Sequence, residues 1–342
     1  ADNLEAYANL DRLYEREGMY NELASNLEQQ LELVEGEDRR EVKNRLARVM
    51  EAHLENADGA VDLYEEVLEE DPDNAGANQA MEALMGQETA PQGRISRILE
   101  PLYVERGDSA RLIEALEVQV LVSVDPEEQV QLLHRIAALY EQEQEDLASA
   151  FGTYARALAE DLRDEATLGE LYRLAEQTQS FEELIQVFEE QAEEQTDPDL
   201  KRDMLRRAAA LYIDPLGELR LATERLHAVL DLFPADLETV EELEEIYRHT
   251  QEWPELVEIL VTKADLVDDL EQKQELFHQA GTLYEDILSS PEEAIGIYHR
   301  ALVVDEADAH AIDRLEVLYT SLEQWYDLLD VYRRKLDLAT ED

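Results

Sequence analysis

A pattern of apolar and aromatic residues that returns every 72 positions constrains this 342-residue chain more than any other feature. Its marker runs Leu10, Leu13, Tyr14, Tyr20 and Leu23. It returns as Leu171, Leu174, Ala175, Phe181 and Leu184, then as Leu243, Ile246, Tyr247, Trp253 and Leu256, then as Leu315, Leu318, Tyr319, Trp325 and Leu328. A further copy, Leu99, Leu102, Tyr103 and Leu112, keeps the spacing of 72 to the next but stands 89 positions after the first. A second pattern alternates with this one: Ala47, Met50, Ala60, Tyr64, Val67 and Pro72; Ala137, Tyr140, Ala150, Tyr154 and Ala157; Ala209, Tyr212, Ala222, Leu226, Val229 and Pro234; Gly281, Tyr284, Ala294, Tyr298 and Ala301. Small and large apolar residues at i, i+4 and i+7 form one face of a helix. A chain longer than roughly 250–300 residues outgrows a single core. The period therefore predicts an array of helix pairs in which each piece packs only on its neighbours.

Glycine (12) and proline (9) are too scarce to build linkers, so one continuous array over 1–342 is expected. Its units are 1–72, 73–162, 163–234 and 235–306, with a final hairpin at 307–338. The longer step between the first two copies predicts an added helix at 73–85 with Met81, Leu84 and Met85. A Gly- and Pro-containing loop over 86–93 follows, and then a helix from Arg94 that Pro101 should kink. This inserted segment near 86–106 is where a bend is expected.

The marker residues resemble the tetratricopeptide repeat (TPR) family. The segment from Ala280 to Asp305 is the best copy, and the likeness extends over nearly the whole chain. The resemblance implies an all-α, right-handed α-solenoid that binds proteins. The two-hairpin period is also similar to long repeat arrays of a bacterial type. Two departures stand out. The Tyr-to-Ala step of the second pattern departs from the family's, running from Met50 to Ala60 and from Tyr284 to Ala294. In addition, Gln30, Gln119, Gln191, Lys263 and Lys335 occupy the place of the family's second small residue.

The 84 acidic and 29 basic residues give a net charge of -55. Such a field repels phosphate backbones and anionic membrane faces, so neither nucleic acid nor membrane insertion is expected. A solvated outer face or adaptation to high salt explains the acidity, since lysine is confined to positions 43, 201, 263, 273 and 335. Without cysteine there is no disulfide framework and no thiolate metal site. No run of about 18 apolar residues suggests a membrane helix. The first residues read directly as an amphipathic helix (Leu4, Leu10, Leu13, Tyr14), so a secretory leader is expected to be either foreign to the protein or already removed. The compartment, cytoplasmic or periplasmic, stays open.

No catalytic group, cofactor or metal is expected. Asp71 to Glu82 follows a calcium-loop template at positions 1, 3, 6 and 12 but has Ala75 at position 5, and it falls where Asp-Pro should separate two hairpins. Glu275 and His278 form half of a di-metal motif that has no second half, and the seven histidines form no His-x-x-x-His pair. Carboxylate pairs are so common here that they carry no catalytic information.

One constellation suggests binding. Asn44 and Arg45, His134 and Arg135, Arg206 and Arg207, and His278 recur at one helical position. The TPR resemblance implies that cations and amides there grip an acidic peptide, in which case Arg135→Glu with Arg207→Glu should abolish that binding. The alternative is that each cation pairs with a carboxylate of the next hairpin. At the end of the array, Leu328, Tyr332 and Leu336 predict an open apolar interface, which implies a longer array, end-to-end self-association or another protein. The expected function is a non-catalytic protein-interaction or assembly scaffold. Its alternative is a structural spacer or self-assembling rod.

Overall fold

The computed structural model describes residues 2–341; residues 1 and 342, the limits of the expected array, lie outside them. Among the described residues there are nineteen helices and no strand. They divide into two compact units, 1–180 and 181–342.

The first unit holds α1 (Asp2–Glu17), α2 (Tyr20–Leu31), α3 (Gly36–His53), α4 (Ala57–Glu70), α5 (Ala75–Met85), α6 (Gln92–Arg106), α7 (Ser109–Val122), α8 (Pro126–Glu143), α9 (Leu147–Glu160) and α10 (Glu165–Thr178). Four hairpins, α1/α2, α3/α4, α6/α7 and α8/α9, pack on one another in sequence order, with α5 between the second and third and α10 on the last. The second unit holds α11 (Phe181–Glu194), α12 (Pro198–Ile213), α13 (Leu219–Leu232), α14 (Leu237–Thr250), α15 (Trp253–Leu266), α16 (Leu270–Asp286), α17 (Pro291–Val304), α18 (Ala309–Ser321) and α19 (Trp325–Glu341). After α11 it too stacks four hairpins, from α12/α13 to α18/α19. Each unit is thus an all-α stack of antiparallel hairpins, the solenoid arrangement.

The helices begin where the chain supplies caps. Asp108, Asp125, Asp146, Asp164, Asp197, Asp269 and Asp308 each accept a backbone N–H of the first turn, which satisfies one donor that no helix can satisfy internally. Pro126 and Pro198 follow two of these caps, at a position whose own N–H is not needed. The calcium-like segment is one of these starts: Asn74 Oδ1 accepts from the Ala77 N–H at 3.1 Å and Asn78 Nδ2 donates to the Pro72 carbonyl at 2.9 Å.

The turns follow the same period. Gly107, Gln179, Gln251 and Glu323, spaced by 72, all have φ between 57° and 65°. A side chain costs roughly 1–2 kcal/mol in that left-handed region, so two glutamines and a glutamate there show that hairpin packing dictates the turn.

The extra residues of the first unit form α5, which buries Ala77, Met81 and Leu84 in one core with Tyr64 of α4 and Ile95, Leu99 and Tyr103 of α6. The loop is shorter than expected, because α6 starts at Gln92, where Gln92 Nε2 holds the Met85 carbonyl at 2.9 Å. Pro101 lies on the exposed side of α6, and the helix continues past it to Arg106.

Candidate protein-binding surface

Four of the five polar residues that depart from the repeat, Gln30, Gln119, Lys263 and Lys335, share one bonding scheme with recurring cations. Gln30 Nε2 donates to Asp11 at 3.1 Å, Gln119 Nε2 to Glu100 at 2.7 Å and Lys263 Nζ to Glu244 at 2.9 Å, while Lys335 Nζ pairs with Glu316. Each donor sits on the second helix of its hairpin, and each acceptor lies 19 positions back on the first. A small residue there would take one donor from each of these carboxylates. Polar residues replace the family's small one because they bond the two helices across their seam.

Arg45 and Arg135 complete the scheme from the following hairpin. Arg45 Nη1 reaches Asp11 at 3.0 Å, and Arg135 Nη2 reaches Glu100 at 2.5 Å. Burial opposes ionisation of Glu100, but the bonds from Gln119 and Arg135 outweigh it and hold the carboxyl below its ordinary range.

The residues just before these arginines point forward. Asn44 Nδ2 donates to Asn74 Oδ1 at 3.0 Å, the His134 ring meets Thr167 Oγ1 at 2.6 Å with Asp164 at 3.5 Å, Arg206 pairs with Glu238 and Glu242, and His278 Nε2 lies 2.6 Å from Asp308 Oδ2. Asn44 and His278 thus bond the capping residue 30 places on, and His134 bonds Thr167 with that helix's own cap, Asp164, 3.5 Å away. His310 packs against His278 with ring centroids 4.3 Å apart and the planes tilted by 42°. Arg207 is half-buried on α12 beside them in sequence. Asn44, Arg45, His134, Arg135, Arg206 and His278 are therefore all engaged within the chain.

What lies open beside them is acidic. A groove of about 830 Å³ runs along the start of α8 and the junction of α9 with α10, lined by Asp125, Glu127, His134, Arg135, Glu160, Asp161 and Asp164 among others. A second, of about 460 Å³, lies along α16 and is lined by Asp269, Glu271, Gln272, Gln274, Glu275 and His278. Asp125 and Asp269, Glu127 and Glu271, and His134 and His278 are each separated by two periods, so both grooves occupy one repeat position. Arg135, the arginine in the larger lining, is bonded to Glu100. Among the described residues no cluster of three or more His, Asp or Glu is arranged to hold a metal ion, and no helix is long and apolar enough to cross a membrane.

Of the three end residues, Leu328 lies inward, in one core with Leu315, Leu318 and Tyr319, while Tyr332 and Leu336 are exposed. The spacing of four read from the sequence mixes two faces. The exposed stripe is Trp325, Leu329, Tyr332 and Leu336, which follows the 3.6-residue turn.

Residues 6–41, spanning α1, α2 and the start of α3, match the tetratricopeptide repeat family. That segment is a tetratricopeptide repeat. Solved structures similar to this chain include PilF of Pseudomonas aeruginosa (14% identity, 69% of this chain and 96% of that one, TM-score 0.30). Others are the TPR2AB domain of yeast Sti1 in complex with pHSP90 (13%, 87% and 99%, TM-score 0.23) and the TPR domain of P58(IPK) (17%, 95% and 99%, TM-score 0.24). No curated protein matches the sequence.

Proposed function

We propose that this TPR chain is a non-catalytic scaffold that holds other proteins, and that the grooves along α8 and α16 receive cationic segments of those partners. The observation that carries this is the lining of the larger groove: Glu127, Glu160 and Asp161 are exposed, whereas the cations at the recurring position already serve the joints between hairpins. An acidic ligand would displace Glu100 from Arg135 and enter a field of like charge. A basic ligand meets carboxylates without breaking a bond of the fold.

The test uses deca-lysine and deca-glutamate as probes, with binding followed by fluorescence anisotropy at low and high salt. Glu127→Lys with Glu160→Lys should weaken deca-lysine binding about tenfold, the scale of two exposed ion pairs. Two reversals elsewhere on the exposed surface, Glu28→Lys with Glu37→Lys, control for the net charge and should change it far less. Equal weakening by both pairs would show that the chain binds cations through its overall field alone. Binding of deca-glutamate that Arg135→Glu with Arg207→Glu removes at unchanged helicity would restore the acidic-peptide assignment.

A further inference from the structure

The two acidic grooves share a repeat position but not a floor. Beside its carboxylates the α8 groove is lined by Pro126, Val130 and Ala166, and Val124 stands immediately before Asp125 of the same lining. One period on, positions 124, 130 and 166 become Thr196, Arg202 and Glu238, and two periods on they become Asp268, Gln274 and His310. Leu121, in the last turn of α7, likewise gives way to Glu193 and then Asp265. At α3 the place of Val130 is taken by Arg40, which reaches Asp71 at 3.9 Å, and Val34, before the start of that helix, packs on its own core. The apolar set of Leu121, Val124, Val130 and Ala166 is complete only at α8.

These side chains are held out of the core. Leu121 and Val124 are 77% and 96% exposed, Ala166 is exposed and Val130 is half-buried. Successive helices alternate in direction, so the end of α7, the start of α8, the end of α9 and the start of α10 lie at one end of the stack. Hydrogen bonds fix the turn that carries Val124. Gln129 Nε2 donates to the Val120 carbonyl at 3.3 Å and to the Ser123 carbonyl at 3.1 Å. Ser123 Oγ donates to Glu128 at 2.6 Å and accepts the Asp125 N–H at 3.3 Å. Val124 thus faces water from a turn bonded on both sides of it. Apolar side chains displayed within a rim of charge mark a surface that another molecule covers.

Charge selects that molecule. Glu127, Glu160 and Asp161 are exposed, and Arg135 is committed to Glu100. A wholly apolar segment would desolvate these carboxylates without pairing them. A wholly cationic one would leave Val124 and Val130 uncovered. The two kinds of residue are interleaved along the sequence, as Val124 with Asp125, Glu127 with Val130 and Asp164 with Ala166. We infer that the α8 groove takes a segment of a partner protein in which lysine or arginine alternates with large apolar residues, whereas the α16 groove recognises charge alone. This rests on the cationic-segment reading of both grooves and adds what distinguishes them.

The probes are deca-lysine and a peptide with the same number of lysines and a leucine after every second one, with binding to the whole chain read by anisotropy. The leucine-bearing peptide should bind about tenfold tighter, the scale of burying most of one leucine side chain. Its advantage should widen as salt rises, because salt screens the ion pairs and not the apolar contact. Val124→Thr with Val130→Gln introduces, without charge, the residues that other copies carry at these places. It should cut the advantage to about twofold and leave deca-lysine binding unchanged. Val124→Thr alone, at a side chain that supports nothing in the fold, should remove part of it at unchanged helicity. Equal affinity for the two peptides, or an advantage that both variants leave intact, would overturn the inference while the charge reading stands. Deca-lysine binding indifferent to Glu127→Lys with Glu160→Lys would refute the charge reading, and this inference with it, by a separate measurement.

Discussion

Lys263→Met isolates the bond that replaces the family's small residue. Lys263 Nζ lies 2.9 Å from Glu244 and 3.1 Å from Glu241, and the lysine and Glu244 side chains are only 13% and 15% exposed. Methionine keeps the length and apolar stem and deletes the ammonium. The bond to Glu244, charge-assisted and largely buried, contributes about 1.5–3 kcal/mol, and the one to the exposed Glu241 about 0–1. Arg248 remains on Glu244 at 2.6 Å, so the carboxylate keeps a partner and the expected loss is about 2–3 kcal/mol. Lys335→Met, at the same repeat position, removes contacts to the more exposed Asp313 and Glu316 and should cost only about 0–1 kcal/mol. Urea unfolding followed through Trp253 and Trp325, with hydrogen exchange to separate local from global opening, measures both. The pH dependence follows from the signs. Burial opposes ionisation of Glu244, but the bonds from Lys263 and Arg248 prevail and lower its pKa in the fold; the Lys263 pKa is raised against the same opposition. The pair therefore contributes fully between the ordinary values of about 4.3 for Glu and 10.4 for Lys. It fades as pH falls through the lowered Glu244 value or rises through the raised Lys263 value. Equal costs for the two variants at neutral pH, or a Lys263→Met cost that persists unchanged at pH 3, would refute this account.

Gly281→Ala should destabilise the second unit although alanine is the better helix former. Its Cβ would stand 2.6 Å from Cζ and 2.7 Å from Cε1 of the buried Tyr298 ring, whose hydroxyl donates to Glu285 at 2.9 Å. Overpacking of about 1–3 kcal/mol less roughly 1 of helix propensity leaves a net loss of about 1–2. Adding Tyr298→Leu, which copies the Ala209 and Leu226 pair of the preceding repeat, should recover most of it in the same urea assay. Acidification should weaken this unit between pH 7 and 5. Burial lowers the pKa of His299, bonded to the Tyr319 hydroxyl at 2.7 Å, and of His310, which also faces His278, Asp308, Arg314 and Glu275. Stability held by the neutral rings is thus full above about 6.5 and lost as pH falls through that value toward the lowered ones. Melting at pH 7.5 and 5.5 should show a smaller difference for His299→Gln with His310→Gln, and an unchanged difference would exclude these rings as the cause.

The periodicity made the nineteen helices legible, because a period of 72 accommodates two hairpins and little else, and the longer first step predicted α5. The start of α6 was misplaced by two positions, since Gln92 enters the helix by capping back onto Met85 and nothing in its composition signals that. The recurrence of Asn44, His134, Arg206 and His278 was also visible in the sequence. Their direction was not, because a helical position gives a face but not which of two flanking hairpins it meets. The constant separations of 19 and 30 held that information, between residue types too varied to pair by eye: Gln with Asp, Gln with Glu, Lys with Glu. At α19, a count of four placed Leu328 outward where the true helical turn buries it.

The scheme of bonds that reach back across one hairpin and forward to the next cap also determines how such a chain can be lengthened or shortened. Removal of a single hairpin would set two hairpins of the same type side by side. An acceptor such as Glu100 would then lose its arginine, and a cap such as Asp308 its histidine. Excision or duplication of a whole two-hairpin block keeps the two hairpin types alternating, so that a donor such as Arg135 again meets a hairpin of the type that carries its acceptor. Unequal recombination within the gene is thereby filtered toward steps of two hairpins. Arrays related to this one should differ in length by whole periods, and α5 is one added helix between hairpins whose types still alternate.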